Sequence, residues 1–223
     1  MADLHHFYHV YADGWWETPL REHVDALRRH GLLDQLATLW VGAVGTEENV
    51  ARLHDELYTL GLGQTVQFAA VAREGWEQVT LGPLHEFSKT HDGHVSYAHT
   101  KGAAYYAPVN WHWRRDMEYH NFVRWREVVV LLDGGVKAAG AHWFSAAPSV
   151  TDPAWGDSGM FGGNYWWARC DALRLAPAPD VSHRFAAEHW IGQLSEVTDL
   201  SAGTCLVDLA PGPIHEGALI TEW

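Results

Sequence analysis

Strand-like and helix-like segments alternate across the first hundred residues, and this alternation constrains the fold more than any other feature of the chain. Short runs of aromatic and β-branched residues are typical of buried strands, and segments with apolar side chains at helical spacing separate them. The predicted strands span 6–12, 35–44, 64–72 and 95–99, and the predicted helices span 18–30, 46–60 and 76–90. This order is typical of a mostly parallel sheet with right-handed helical connections.

The chain is predicted to form one α/β domain over residues 1–223, with helices on both faces of a mostly parallel central sheet. Residues up to about 102 would form a nucleotide-binding half, and those from about 103 an acceptor-binding half. In the second half, the predicted helices span 113–132, 171–175 and 182–194, and the predicted strands span 136–144, 160–168 and a short segment from Cys205. Thr46, three positions before Asn49, is the predicted N-cap of the second helix.

Composition excludes several classes of protein. The formal net charge of −13 argues against nonspecific binding to nucleic acid, which needs clustered Lys and Arg. No apolar run approaches the ~20 residues that span a bilayer, and the N-terminus lacks the basic and apolar regions of a signal peptide. We therefore expect a cytoplasmic protein without a transmembrane segment. Cys170 and Cys205 lack metal-ligand spacing and are predicted to be small core residues.

Polar side chains follow the first and fourth predicted strands, where an open parallel sheet binds its ligands. Lys101 offers a point charge for a diphosphate, Thr100 offers a hydroxyl, and Gly102 permits a close approach of backbone. The other residues at these strand ends are Tyr11, Asp13 and His99. Asp13 is either a contact to the base or ribose of a nucleotide or a residue that ends the strand.

Sixteen histidines and thirteen tryptophans are unusual in 223 residues. His5, His6 and His9 are interpreted as structural residues, because their spacing divides them between two faces of a strand. Tryptophan rings stack well on sugar faces. The segment Gly162–Ala168 is therefore interpreted as a glycine-hinged aromatic platform for a sugar, in which Asn164 either meets a sugar hydroxyl or serves as a turn residue.

Three segments, in order along the chain, carry a resemblance to a known family. They are Tyr97-Ala98-His99-Thr100-Lys101-Gly102, Trp113-Arg114-Arg115-Asp116-Met117 and Gly163-Asn164-Tyr165-Trp166-Trp167-Ala168. With the first predicted strand, they make residues 5–195 similar to bacterial glycosyltransferases of the GT-A-like type. The resemblance implies a nucleotide-sugar donor, a single GT-A-like domain and transfer to a hydroxyl of a glycan or small-molecule acceptor. The residues expected to bind the acceptor are Trp113, Arg114, Asn164, Tyr165, Trp166 and Trp167.

One departure from that family concerns the metal. GT-A enzymes place an Asp-x-Asp after the corresponding strand to hold a divalent cation, whereas this chain has His99-Thr100-Lys101 there. We expect that no cofactor is required and that Lys101 and His99 stabilise the departing diphosphate as cations do. Dependence on Mg²⁺ or Mn²⁺ stays open. His215 is either a further phosphate contact, a metal ligand, or an exposed residue of the tail.

A hydroxyl acceptor needs a general base, and a positioned carboxylate can serve. Glu188, within an apolar helical pattern, is the first choice, and Asp157, shortly before the aromatic segment, is the second. The predicted function is thus that of a glycosyltransferase. The alternative is a noncatalytic carbohydrate-binding protein, which would have no need of the strand-end Lys101. A sugar-phosphate nucleotidyltransferase would be expected to carry a glycine-rich loop after the first strand, and none is present there.

Overall fold

The computed structural model describes residues 2–104, 108–144, 159–194 and 196–201. Strands and helices of the first half closely follow the predicted segments. The strands are β1 (Leu4–Tyr11), β2 (Leu36–Val44), β3 (Val66–Ala72) and β4 (His94–His99), and the helices are α1 (Glu17–Arg29), α2 (Glu47–Thr59) and α3 (Gln78–Thr90).

The elements of the second half are shorter. The helices are α4 (Pro108–Glu118), α5 (Trp125–Asp133), α6 (Cys170–Leu173) and α7 (Ala186–Trp190). The strands are β5 (Ala138–Gly140), β6 (Trp143–Phe144), β7 (Met160–Phe161), β8 (Trp166–Arg169) and β9 (Val197–Asp199). None of the helices in the described ranges is both long and apolar enough to cross a bilayer.

A seven-stranded sheet with the order β3-β2-β1-β4-β8-β5-β9 forms the centre of the molecule. Strand β8 runs antiparallel to both of its neighbours, and the other adjacent pairs are parallel. Strands β6 and β7 form a separate antiparallel pair. The prediction of an α/β domain with a mostly parallel central sheet is confirmed, and β1 to β4 all come from the first hundred residues.

Helices cover both faces of this sheet, as the alternation of side chains along β1 illustrates. Tyr8 packs in one core cluster with Leu27 of α1 and Leu53 of α2, whereas Phe7 packs in a second cluster with Leu81 of α3. Because neighbouring residues of a strand point to opposite faces, the two clusters lie on opposite sides of the sheet. Cys170 is fully buried in the second cluster, as predicted, and Cys205 lies outside the described residues.

Several predicted elements of the second half are interrupted. The helix predicted over 113–132 contains a π-helical turn at Tyr119–Val123, where the Arg124 amide donates to the Tyr119 carbonyl five residues earlier. The strand predicted over 136–144 breaks at His142, which has a φ of 60°. The strand predicted over 160–168 breaks at Gly163 and Asn164, whose φ angles of 79° and 59° are incompatible with extended backbone.

The last predicted helix is also shorter than expected. Residues 182–185 form turns, in which Ser182 donates its backbone N–H and its hydroxyl to Asp180, and α7 begins only at Ala186. Side-chain bonds of this kind compete with helix formation. The strand predicted from Cys205 lies outside the described residues.

Candidate functional site

A cavity of about 500 Å³ opens at the carboxyl end of the parallel strands, a volume typical of small-molecule sites. From β1 the chain adds β2 and then β3 on one side, and it then returns to add β4 on the other side of β1. The order of the strands therefore reverses between β1 and β4. Open α/β sheets bind ligands at such a switch point. Predicted site residues that line the cavity are Tyr11, Asp13, His99, Thr100, Lys101, Gly102, Trp113 and Glu188.

Hydrogen bonds between strand ends hold the turn after β4 in place. The Thr100 amide donates to the His9 carbonyl at 2.9 Å, and the Thr100 hydroxyl oxygen accepts from the Tyr11 amide at 3.0 Å. Gly102 then adopts a φ of 83°. The ends of β1 and β4 are therefore tied together, and the Lys101 side chain starts from a fixed backbone.

Lys101 and Arg184 bring positive charge to the cavity. The Lys101 ammonium lies 4.3 Å from the centre of the Trp113 ring, and the Arg184 guanidinium carbon lies 5.0 Å from that of Phe185. Neither cation forms an ion pair with a carboxylate in the described ranges. Sequence reasoning missed Arg184, because a single arginine in a turn after a proline-rich stretch carries no motif.

Asp13 has a structural role at the edge of the cavity. Its Oδ1 atom accepts hydrogen bonds from the Thr46 amide at 2.8 Å and the Asn49 side chain at 2.9 Å, and Oδ2 lies 3.1 Å from the Arg73 guanidinium. The bond from Asn49 is the main cause of a lowered Asp13 pKa. The carboxylate thus joins the end of β1 to the start of α2, and its contact with a nucleotide stays a prediction.

His99 does not supply the positive charge that the sequence led us to expect. Its Nε2 atom lies 2.9 Å from the Gly163 carbonyl, to which it donates. Burial, followed by the charge of Lys101, lowers the pKa of His99 to about 3. His99 is therefore neutral near pH 7, with an unprotonated Nδ1, and this state does not support the expectation that it assists Lys101 as a cation.

His9, interpreted from the sequence as a structural residue, also lines the cavity. Its Nδ1 atom lies 2.7 Å from the Thr80 hydroxyl. Burial lowers the pKa of His9 to about 4, so this ring too is neutral near pH 7. The strand spacing correctly divided the histidines between two faces but did not indicate which of them reach the cavity.

Glu77 is the functional candidate that sequence reasoning missed. It lines the cavity at the N-cap position of α3, and its Oε2 atom accepts from the Tyr97 hydroxyl at 2.8 Å and from the Asn164 amide at 2.7 Å. Its Oε1 atom lies 3.7 Å from Nδ1 of His99. A glutamate at the start of a helix is a common surface feature, so the sequence alone contained no signal for this role.

The aromatic segment Gly162–Ala168, which leads into β8, lies in the core and does not line the cavity. Asn164, Trp166 and Trp167 are fully buried, and Tyr165 is 1% exposed. Trp166 donates its indole N–H to Asn164, Trp167 donates to the Asn121 carbonyl, and Tyr165 donates to the His99 carbonyl. Rings buried in this way offer no face to a sugar, so their positions do not support the predicted stacking and acceptor-binding roles.

Arg114 is likewise committed within the fold. Its guanidinium bonds to Glu22 at 2.8 Å and to the Lys101 carbonyl at 3.0 Å, and the side chain is buried. Its position supports the strand-end turn and not the predicted contact with an acceptor. Of the remaining predicted residues, Glu188 lines the cavity, and Asp157 and His215 lie outside the described residues.

The residues at the end of β4 do not fit the divalent-metal site implied by the resemblance. The cavity presents His99, Thr100 and Lys101 there, with a cation where the family carries an acidic pair. Within the described ranges, no group of three or more His, Cys, Asp or Glu side chains is arranged to hold a metal ion. Metal dependence of the protein stays a prediction to be tested by assay.

Comparison with known proteins leaves the family open. No protein-family model matches the chain, and no curated protein matches it. Among solved structures, a 4-diphosphocytidyl-2C-methyl-D-erythritol synthase aligns with a TM-score of 0.45 and 8% identity over 89% of each chain. A second such synthase, from Anaerococcus prevotii, aligns with a TM-score of 0.45 and 9% identity over 89% of this chain and 86% of its own. At these values the likeness carries no argument about function.

Proposed function

We propose that this protein is a glycosyltransferase that moves a sugar from a nucleoside diphosphate to a hydroxyl acceptor. The observation that carries the proposal is that one cavity is lined by the cations Lys101 and Arg184 and by the carboxylates Glu77 and Glu188. Neither cation forms an ion pair with a carboxylate in the described ranges. Unpaired cations favour an anionic ligand, and carboxylates can take a proton from a hydroxyl.

The cations would act on the leaving group. When the bond between the sugar and the diphosphate breaks, negative charge grows on the diphosphate oxygens, and positioned cations stabilise that charge. Both residues line the cavity, and although burial is the main cause of the lowered pKa of His99, the charges of Lys101 and Arg184 also lower it. Lys101 would thereby take over part of the task that a divalent metal performs elsewhere.

Aromatic surface is available at the mouth of the cavity. Trp76 is 47% exposed and Tyr11 is 37% exposed, and both line the opening. Flat rings in this position can stack on a nucleobase or a sugar. We therefore assign the stacking role that the sequence suggested for the buried Trp166 and Trp167 to Trp76 and Tyr11.

The noncatalytic carbohydrate-binding alternative is less well supported. It relied on the aromatic segment of β8, whose rings are buried. A lectin would also have no need of cations beside carboxylates in its binding cavity. The alternative predicts affinity for free sugars and none for nucleoside diphosphates.

Calorimetry with nucleoside diphosphates and a panel of UDP-, GDP- and dTDP-linked hexoses tests the proposal, with and without Mn²⁺. Charge-assisted contacts to phosphate contribute about 1.5–3 kcal/mol, so Lys101→Ala should weaken diphosphate binding roughly ten- to hundred-fold. The matched control is Lys89→Ala, because Lys89 lies on α3, is exposed and pairs with Glu86. Binding of free sugars alone, or equal diphosphate affinity in both variants, would contradict the proposal.

A further inference from the structure

We infer that Glu77 is the catalytic carboxylate that accepts the proton of the acceptor hydroxyl, and that Tyr97 and Asn164 position it. This inference rests on the proposed function and deepens it, since the sequence had pointed to Glu188 and Asp157. It also gives the buried aromatic segment of β8 a role in the site.

One oxygen of Glu77 is fixed by the protein. Two donors, the Tyr97 hydroxyl at 2.8 Å and the Asn164 side-chain amide at 2.7 Å, meet at Oε2. Tyr97 and Asn164 are both fully buried, so neither donor is free to turn toward solvent. A carboxylate with one oxygen held in this way presents the other oxygen in a defined direction, which is what a general base requires.

The orientation of the Asn164 amide is itself determined by a neighbour. Trp166 donates its indole N–H to Oδ1 of Asn164 at 2.8 Å. An indole N–H can only donate, so the atom that it meets must be the amide oxygen and the NH₂ group must face Glu77. The left-handed backbone of Asn164, with a φ of 59°, places the side chain between these two partners.

The other oxygen of Glu77 faces a second acceptor. Oε1 lies 3.7 Å from Nδ1 of His99, and it has no hydrogen-bond partner in the described part of the chain. Because His99 donates through Nε2 to the Gly163 carbonyl and is neutral, its Nδ1 carries a lone pair. Two acceptors that face each other across this gap call for a donor from a ligand, and a hydroxyl is such a donor.

Glu188 lacks comparable support. It lies on the five-residue helix α7 and is partly exposed. Within the described ranges, no hydrogen bond holds its carboxylate. Side chains that must act within a fraction of an ångström are normally held by such bonds, so Glu77 is better placed as the base than Glu188.

The proposed step is a single displacement. The acceptor oxygen forms a bond to the anomeric carbon of the donor sugar while its proton passes to Oε1 of Glu77. The bond from the anomeric carbon to the diphosphate breaks, and its electron pair leaves with the diphosphate beside Lys101 and Arg184. Electrons and atoms balance without a redox partner, and the configuration at the anomeric carbon inverts.

The first test compares Glu77→Gln with Glu188→Gln. The substrate is a sugar nucleotide of the panel that binds the wild type, and the acceptor is water or an added alcohol. The assay measures the release of nucleoside diphosphate. Glutamine can still accept from Tyr97 and Asn164 through its amide oxygen, so folding and donor affinity should be retained. Turnover should fall roughly 10²–10⁴-fold in Glu77→Gln and by much less in Glu188→Gln. The reverse pattern would overturn the inference and return the role to Glu188.

The second test uses Tyr97→Phe, which keeps the ring and removes one donor to Glu77. Without that donor, Oε2 is held only by the Asn164 amide, so kcat should fall while the KM for the sugar nucleotide stays unchanged. A variant with the kcat of the wild type, or with a changed KM alone, would mean that Tyr97 does not position the base. If the wild type binds no nucleotide sugar, the proposed function fails; if it turns over and Glu77→Gln does too, only this inference fails.

Discussion

Gly102 adopts a backbone conformation that other residues rarely take, at the point where the cavity is built. Its φ of 83° lies in the left-handed region, and a Cβ atom added there would come within 2.7 Å of the Asn110 side chain. Glycine is therefore favoured at this turn for two reasons: its backbone tolerates a positive φ, and it leaves room for the close approach of α4. The conformation of this turn determines where the Lys101 side chain leaves the backbone.

Gly102→Ala should destabilise the protein by about 1–3 kcal/mol, the usual cost of such backbone strain, and should weaken diphosphate binding by displacing Lys101. Gly82→Ala is the matched control, because Gly82 lies inside α3 with nothing within 4 Å of an added Cβ atom. That change should stabilise by about 0.5–1 kcal/mol. Urea denaturation and calorimetry measure both quantities, and equal effects at the two sites would contradict this account of the turn.

Helix α2 illustrates how a local signal sets the start of an element beside the site. The Thr46 hydroxyl accepts from the Asn49 amide at 3.2 Å, which confirms the predicted N-cap. The Thr46 amide in turn donates to Asp13 at 2.8 Å. The cap and the strand-end carboxylate thus hold the first turn of α2 against the end of β1.

Thr46→Ala should lower the free energy of unfolding by about 1 kcal/mol, since the capping bond is lost. Thr59→Ala, at the other end of α2, should change it little, because that hydroxyl only bonds back to the Asp55 carbonyl within the helix. Parallel urea denaturation of the two variants provides the measurement. A larger loss for Thr59→Ala would mean that the cap does not stabilise this helix.

Strand β8 has a different character, because it enters the sheet between β4 and β5 and is covered on both faces. Successive side chains of this strand enter the cores on opposite faces of the sheet, which explains why both of its tryptophans are buried. Trp166 still acts on the site indirectly, through Asn164 to Glu77, and the preceding Tyr165 bonds to the backbone of His99.

A chain of buried polar groups links four elements across the core. Ser96 of β4 lies 2.7 Å from His6 of β1, His6 lies 2.7 Å from His23 of α1, and His23 lies 2.6 Å from Glu118 of α4. Burial, followed by the charge of Glu22, holds the pKa of Glu118 well above its usual value, and burial lowers the pKa of His23 to about 3. A protonated Glu118 that donates to a neutral His23 is consistent with the raised pKa of the first and the lowered pKa of the second.

Glu118→Gln should therefore become more stable relative to the wild type as the pH rises. The raised pKa means that the folded state keeps a proton which the unfolded state releases above about pH 4.5, so the wild type loses stability from there upward. Glutamine still donates to His23 and has no such loss. The difference in the free energy of unfolding should grow as the pH rises above about 4.5, by at most about 1.4 kcal/mol per pH unit. A difference independent of pH would indicate an ionised Glu118.

Local patterns were sufficient for the first half of the fold. The periodicity of apolar residues and the breaks at Gly31 and Gly61 predicted β1 to β4 and α1 to α3, because both signals depend only on neighbours along the chain. The strand-end position of Lys101 followed from the same logic, since parallel strands present their carboxyl ends at one edge. The sequence by itself thus determined the α/β class, the edge that holds the cavity and the cation placed there.

Only the tertiary structure decided which further residues reach that cavity. Glu77 meets Asn164 across 87 positions of sequence, and His99 meets Gly163 across 64, so no local pattern contains these contacts. Trp166 and Trp167, which the sequence suggested as a platform for a sugar, are likewise core residues because β8 lies between β4 and β5. Burial is a property of the assembled sheet, and the neutral state of His99 follows from it, whereas the orientation of Glu77 follows from its long-range bonds to Tyr97 and Asn164.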